Sequence, residues 1–193
     1  MEMDASMPVL TPDDLMAGRL PSGNVVVYDD DHYYMGGVLT ELLIEHGCHV
    51  TFVTPSAFVS EWTRNTFEQH RVQARFMDWG VDTRLSQGLE SVQGGYIGTA
   101  CTYSGRVDRI NADALVLVTS RAGNDALWRE LNLLEDDWAD AGIHSVRVFG
   151  DAQAPAPIAW ATYAGHRYAR ELDEPGIGDR VPFNRELTRL DGS

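Results

Sequence analysis

Several things are scarce in this 193-residue chain, and each scarcity closes a class of function. No apolar run approaches the ~18 residues that a membrane-crossing helix requires. Nothing near Met1 resembles a secretion leader, because residues 1–20 are acidic and broken by prolines, so a reducing cytoplasm is the expected location. There are two cysteines, Cys48 and Cys101, far apart and without metal-ligand spacing, which leaves neither a disulfide framework nor an iron–sulfur site within the chain. Basic residues are outnumbered 15 to 29 by acidic ones, a net charge of −14. That balance excludes nucleic acid and anionic membrane as partners, since both demand basic surface. Solubility is the simplest use of the surplus, and a basic protein partner is the other.

A hydrophobic content of 44% is enough for a sizeable core in a chain of this length. Residues 1–22 read as a linker followed by a short helix. Thr11-Pro12-Asp13-Asp14 is a helix start, with Thr11 as N-cap, Pro12 in the first turn and Asp14 closing a capping box. Asn24 to Asp29 is an apolar strand ending in Asp29-Asp30-Asp31-His32-Tyr33-Tyr34. A helix is expected from about Gly37 to His46, where Val38, Leu39, Leu42 and Leu43 form an apolar stripe. A second strand follows at His49–Val53, and a long helix is expected from Ser60 to about Trp79. Leu89–Val92, Tyr96–Tyr103 and Arg106–Ile110, separated by Gly94-Gly95 and Ser104-Gly105, read as a β-meander. Ala114–Thr119 is a near-continuous apolar run, as in a central strand covered on both faces.

Beyond it, Leu127, Leu131, Leu134 and Trp138 predict a long amphipathic helix, Val146–Phe149 a strand, and Pro157 to Leu172 a last helix. The tail from 175 to 193, with Pro175, Gly176, Gly178 and Pro182, is expected to run extended. The fold class is therefore α/β: a Rossmann-like, three-layer NAD(P)-type domain over 23–120 with a β-meander crossover. The C-terminal strand and helix of an FAD-type domain follow over 121–174. This order resembles two-dinucleotide flavoproteins, in which the chain returns from an NAD(P)-type domain to finish an FAD-type one. In that pattern the closing Gly150-Asp151-Ala152 turn faces the nucleotide, Asp151 bonds its ribose side and the next helix points its positive end at the ligand.

The turn after the first strand has lost its phosphate chemistry. A dinucleotide site reads Gly-x-Gly-x-x-Gly so that the backbone can approach a pyrophosphate at the helix N-terminus. The three glycine positions hold Asp29, Asp31 and Tyr34, and the acid expected about 20 residues later for the ribose is replaced by Thr54-Pro55-Ser56. Carboxylates there oppose phosphate, and the preferred reading is that the Asp run caps the helix in the phosphate's place. Two other readings carry less weight. Consecutive Asp residues with His32 could attract a hard cation, but neighbours on a turn seldom converge. His166 and Arg167 suggest an acid–base pair, against the simpler view of a solvated or interface-packed helix face.

The chain resembles the C-terminal region of the trimethylamine, dimethylamine and histamine dehydrogenase family, which is related to 2,4-dienoyl-CoA reductase. The resemblance rests on Asp4–Pro8 with Leu10-Thr11-Pro12, the strand–Asp–helix unit through Thr51, Asp113–Thr119 and Trp128. Gly150-Asp151-Ala152-Gln153-Ala154-Pro155 and Ala164–Glu171 complete it. It implies a longer parent with an N-terminal (β/α)8 barrel holding FMN, a four-cysteine [4Fe–4S] cluster, and the first half of an FAD-type domain holding ADP. It further implies a homo-oligomeric parent that passes electrons to an electron-transfer flavoprotein. In that setting this chain has no catalytic residue and no cofactor of its own. It is a fragment or separate subunit that covers the cluster domain and completes the ADP site through Gly150, Asp151 and Ala152. The alternatives are a stand-alone, non-catalytic module that docks on a flavoprotein subunit, and an NAD(P)H-binding reductase domain.

Overall fold

The computed structural model describes residues 2–3 and 6–172; the tail expected to run extended from 175 lies outside the described residues. The chain divides into two compact units, residues 1–120 and 121–193.

The first unit is built on one strand. β3 (Asn24–Asp29) sits at the centre of a five-stranded parallel sheet ordered β2-β9-β3-β4-β5. Its partners are β2 (Val9–Leu10), β4 (His49–Val53), β5 (Asp82–Arg84) and β9 (Ala114–Val118). Val26 of β3 stands opposite Thr51 on one side and Leu115 on the other. Side chains alternate across a strand, so Val25 and Val27 point to one face and Val26 to the other. The first face meets Leu39 and Leu43 of α2 (Tyr34–Glu45), Phe76 of α3 (Gln69–Asp78), and Leu15 of α1 (Pro12–Met16). The second face meets Val92, Ile97 and Ile110. These belong to the meander of β6 (Gln87–Gln93), β7 (Tyr96–Cys101) and β8 (Val107–Asn111), with β1 (Glu2–Met3) parallel to β6 at the edge. Helices, parallel sheet and antiparallel sheet make three layers, and the meander carries the crossover to β9. Full burial of a Val or Leu side chain contributes about 1.5–3 kcal/mol, so the two clusters flanking β3 hold the unit together.

Local signals are read correctly where side chains settle them. Thr11 Oγ1 accepts from the Asp14 amide at 3.3 Å while Asp14 Oδ2 accepts from the Thr11 amide at 2.8 Å, closing the capping box. Other boundaries move. α2 begins at Tyr34, one turn earlier than the apolar stripe suggests. The helix expected over 60–79 divides into a 3-10 turn at Glu61–Thr66 and α3, because Phe67 takes a left-handed φ of 61° that no continuous helix allows. Residues 9–10 join the sheet although they show no periodicity, being only two residues long.

In the second unit, α4 covers Ala126–Asn132 and a 3-10 turn covers Glu135–Asp137, so the expected long helix stops early. Glu135, Asp136 and Asp137 crowd an end where the helix dipole disfavours negative charge. Val146–Phe149, expected as a strand, joins no ladder among the described residues. A strand needs a neighbour's amides and carbonyls, and the described residues of this unit offer it none. α5 (Ile158–Glu171) is formed. No residue from 121 to 172 is buried. Among the described residues no helix is long and apolar enough to cross a membrane.

The closeness of α2 to β3 yields a test. A Cβ on Gly36 would lie 2.7 Å from Asp29 Cγ, whereas one on Gly37 meets nothing nearer than Val72 at 3.5 Å. Gly36→Ala is expected to destabilise by about 1–3 kcal/mol through overpacking. Gly37→Ala should be neutral or gain up to about 1 kcal/mol of helix propensity. Thermal unfolding followed by circular dichroism separates the two.

Candidate nucleotide-fold sites

A parallel α/β sheet binds its ligands outside the carboxyl ends of its strands, which places attention on the turn after β3. Asp29 ends the strand and is fully buried. Its Oδ1 accepts from the His32 amide at 3.2 Å, and Oδ2 has no hydrogen-bond partner. Burial raises its pKa to about 7; the neighbouring Asp31 and Asp30 charges push the same way, against the stabilising His32 amide. Asp29 therefore braces the turn, and α2 has Tyr33 as N-cap with no side-chain cap at all. The expectation that the Asp run caps the helix is corrected accordingly.

The rest of the turn fills the space over the strand ends. His32 holds a φ of 61°, with Nδ1 3.4 Å from Thr54 Oγ1 and Nε2 3.4 Å from Asp30 Oδ1. Its carbonyl accepts from the Trp62 amide at 2.9 Å, which ties the segment after β4 across the turn. Ser56 Oγ hydrogen-bonds Glu61 in that segment. Tyr33 and Tyr34 pack edge to face at the start of α2, ring centroids 4.6 Å apart. A pyrophosphate would have to displace these side chains and face two exposed carboxylates. A phosphate charge within ~4 Å of a carboxylate is opposed by about 1 kcal/mol in water and by more where solvent is excluded. The three Asp side chains do not converge either: Asp29 points inward, Asp30 leans on His32, and Asp31 is exposed. Among the described residues no group of three or more His, Cys, Asp or Glu could hold a metal ion.

Gly150, Asp151 and Ala152 form a 3-10 turn ahead of α5. Gly150 is required twice, by its φ of +64° and by Ala161, whose Cβ would lie 3.3 Å from a Cβ at that position. Asp151 is exposed, its Oδ1 3.5 Å from the Ala156 amide. α5 starts at Ile158 after Pro157 with no side-chain cap; the Trp160 amide donates to the Pro157 carbonyl at 2.9 Å, which leaves the Ile158 and Ala159 amides available among the described residues. Phe149 lies against Tyr168 of α5, ring centroids 5.9 Å apart, and anchors the turn to the helix. His166 and Arg167 do not form an acid–base pair: Arg167 Nε bonds Glu171 Oε1 at 2.8 Å, one turn along α5.

What the sequence left hidden is the burial of Asp29. The one available signal is Gly36, seven residues on, whose missing side chain makes room for the carboxyl. Its raised pKa fixes a pH dependence. The folded chain keeps the Asp29 proton up to about 7 while the ordinary value is 3.8. The stability it contributes is thus complete below the ordinary value and is lost as pH rises through the folded one. Asp29→Asn, which keeps the acceptor for His32, should unfold at higher denaturant than the unsubstituted chain above neutral pH. The gap, on the order of a few kcal/mol, should close towards pH 4. Urea titrations across that range check it.

No family model matches the chain. Dimethylamine dehydrogenase of Hyphomicrobium sp. (strain x) is 32% identical over 203 aligned positions, covering 95% of this chain but 27% of that protein. The structure of histamine dehydrogenase from Rhizobium sp. 4-9 superposes with a TM-score of 0.86 at 54% identity, covering 100% of this chain and 30% of that one. The 6-hydroxypseudooxynicotine amine oxidase of Pseudomonas geniculata N1 gives 0.73 at 34% identity, over 84% of this chain and 25% of its own. Matched along nearly its whole length to less than a third of these relatives, the chain belongs, as a C-terminal region, to the trimethylamine, dimethylamine and histamine dehydrogenase family.

Proposed function

We propose that this chain is the C-terminal nucleotide-fold region of an FMN and iron–sulfur amine dehydrogenase-like oxidoreductase, structural in role and completing an ADP site. The observation that carries the reading is the second unit. Among its described residues, 121–172, none is buried, yet Leu127, Leu133, Ile158 and Trp160 are each more than 60% accessible. Such a segment supplies the outer part of a core whose remainder lies elsewhere, as expected if it finishes an FAD-type domain begun upstream. Val146–Phe149 would then pair with that domain's sheet.

The residues present fit ADP in part. The uncapped start of α5 offers amides and a positive dipole end to a phosphate, and the exposed Asp151 offers an acceptor to a ribose hydroxyl. They do not fit the redox groups. Cys48 is buried and its Sγ hydrogen-bonds the Pro21 carbonyl, far in sequence from Cys101, so neither belongs to a four-cysteine cluster. FMN and the cluster would sit in the barrel and iron–sulfur domains of the same enzyme. Chemistry at an amine C–N bond would take place there, with an electron-transfer flavoprotein as acceptor and a homo-oligomeric, cytoplasmic parent as the setting. The filled turn after β3 disfavours an NAD(P)H-fed reductase.

An antibody against this chain, used on extract from the source cells, tests the reading. Since the chain spans 30% of histamine dehydrogenase, the expected band is roughly three times the chain's mass, in a fraction that carries flavin and iron. A band at 21.4 kDa without flavin would favour the docking module instead. Calorimetry with millimolar NADH is expected to show no heat, and saturable binding would restore the reductase reading.

A further inference from the structure

One cleft of the first unit is used by none of the chemistry above. It opens between α2 and α3, on the helical layer, from Tyr34 at the start of α2 to Trp79 at the end of α3, with a volume of about 330 Å³. That lies at the lower end of the roughly 300–1,000 Å³ typical of small-molecule pockets, room for one ring and a short side chain. Val38, Val72, Phe76 and Trp79 make its walls apolar. Its floor holds Ser60, 1% accessible and in a left-handed conformation, whose Oγ is buried without a hydrogen-bond partner. A buried hydroxyl is normally satisfied, so one facing a cleft is a ready contact for a polar group entering it. Gly37 leaves the floor open, since a Cβ there would stand 3.6 Å from Ser60 Oγ.

The rim decides the charge of the occupant. Arg75 is engaged by Glu41 at 3.2 Å and lies over the Trp79 ring, 5.7 Å from its centroid. Glu68 accepts from the Tyr34 hydroxyl and from Thr66, and the Tyr34 bond holds its carboxyl below the ordinary range. Arg71 is exposed beside Glu68, and its guanidinium makes no hydrogen bond among the described residues. Both acids are already served and one guanidinium is available, which favours an anion over an amine; a carboxylate suits the planar fork of an arginine.

We propose that the α2–α3 cleft binds a small hydroxylated aromatic carboxylate, its ring between Val72, Phe76 and Trp79, its hydroxyl on Ser60 and its carboxylate on Arg71. The site lies wholly within the first unit and does not depend on the nucleotide-fold reading or on the second unit.

The test is an amide NMR titration of the full chain with 4-hydroxyphenylacetate. Saturable shifts are expected at residues 34–41 and 60–79, with phenylacetate, which lacks the hydroxyl, binding several-fold more weakly. Arg71→Ala and Arg71→Gln, both at an exposed position, should each weaken binding about tenfold or more, the scale of a lost charge-assisted contact. Val38→Trp, on the exposed wall, should plug the cleft and abolish binding while the thermal transition stays in place. No saturable shift at millimolar ligand, shifts centred elsewhere, unchanged affinity in the Arg71 variants, or equal binding of tyramine would each overturn the proposal.

Discussion

The first unit depends on the burial of β3 from both sides. Val25 and Val27 feed the cluster under the helices, and Val26 feeds the cluster under the meander. A strand with a wet face could tolerate a polar residue at alternate positions; from Val25 to Val27 this one cannot, and its neighbour β9 carries the same demand through Leu115 and Val116. Helix and meander layers follow, because each face of the sheet needs a cover and the chain supplies one on either side.

The same central strand ends in a carboxyl that is wholly enclosed. Where a dinucleotide site brings glycines so that backbone meets phosphate, this turn brings side chains. Asp29 lies beneath α2 against Gly36, His32 lies between Asp30 and Thr54, and two tyrosines pack edge to face at the helix start. The close approach of helix to strand is kept, but the room it makes is used by the protein itself. The Rossmann frame keeps its shape here with side chains in place of a glycine turn, at the expense of a buried ionisable group.

The two units differ in how much of their own stabilisation they contain. Residues 6–120 enclose two apolar clusters. Residues 121–172 enclose none and hold their turns through local contacts such as Phe149 on Tyr168 and Trp138 Nε1 on the Leu131 carbonyl at 2.9 Å. The relatives are more than three times as long as this chain.

Much of this was written in local sequence. The capping box of Thr11 and Asp14, the meander's glycine turns, the two-sided apolar runs of β3 and β9, and the lost glycines at Asp29, Asp31 and Tyr34 are decided by neighbours within a few residues. Tertiary structure alone decided the rest. It turned Asp29 inward rather than onto the helix, broke the 60–79 segment at Phe67, left Val146–Phe149 without a ladder among the described residues, and opened the cleft above Ser60. Side-chain burial, strand pairing and the space between two helices depend on residues distant in sequence, and no periodicity along one segment encodes what its remote neighbours will cover.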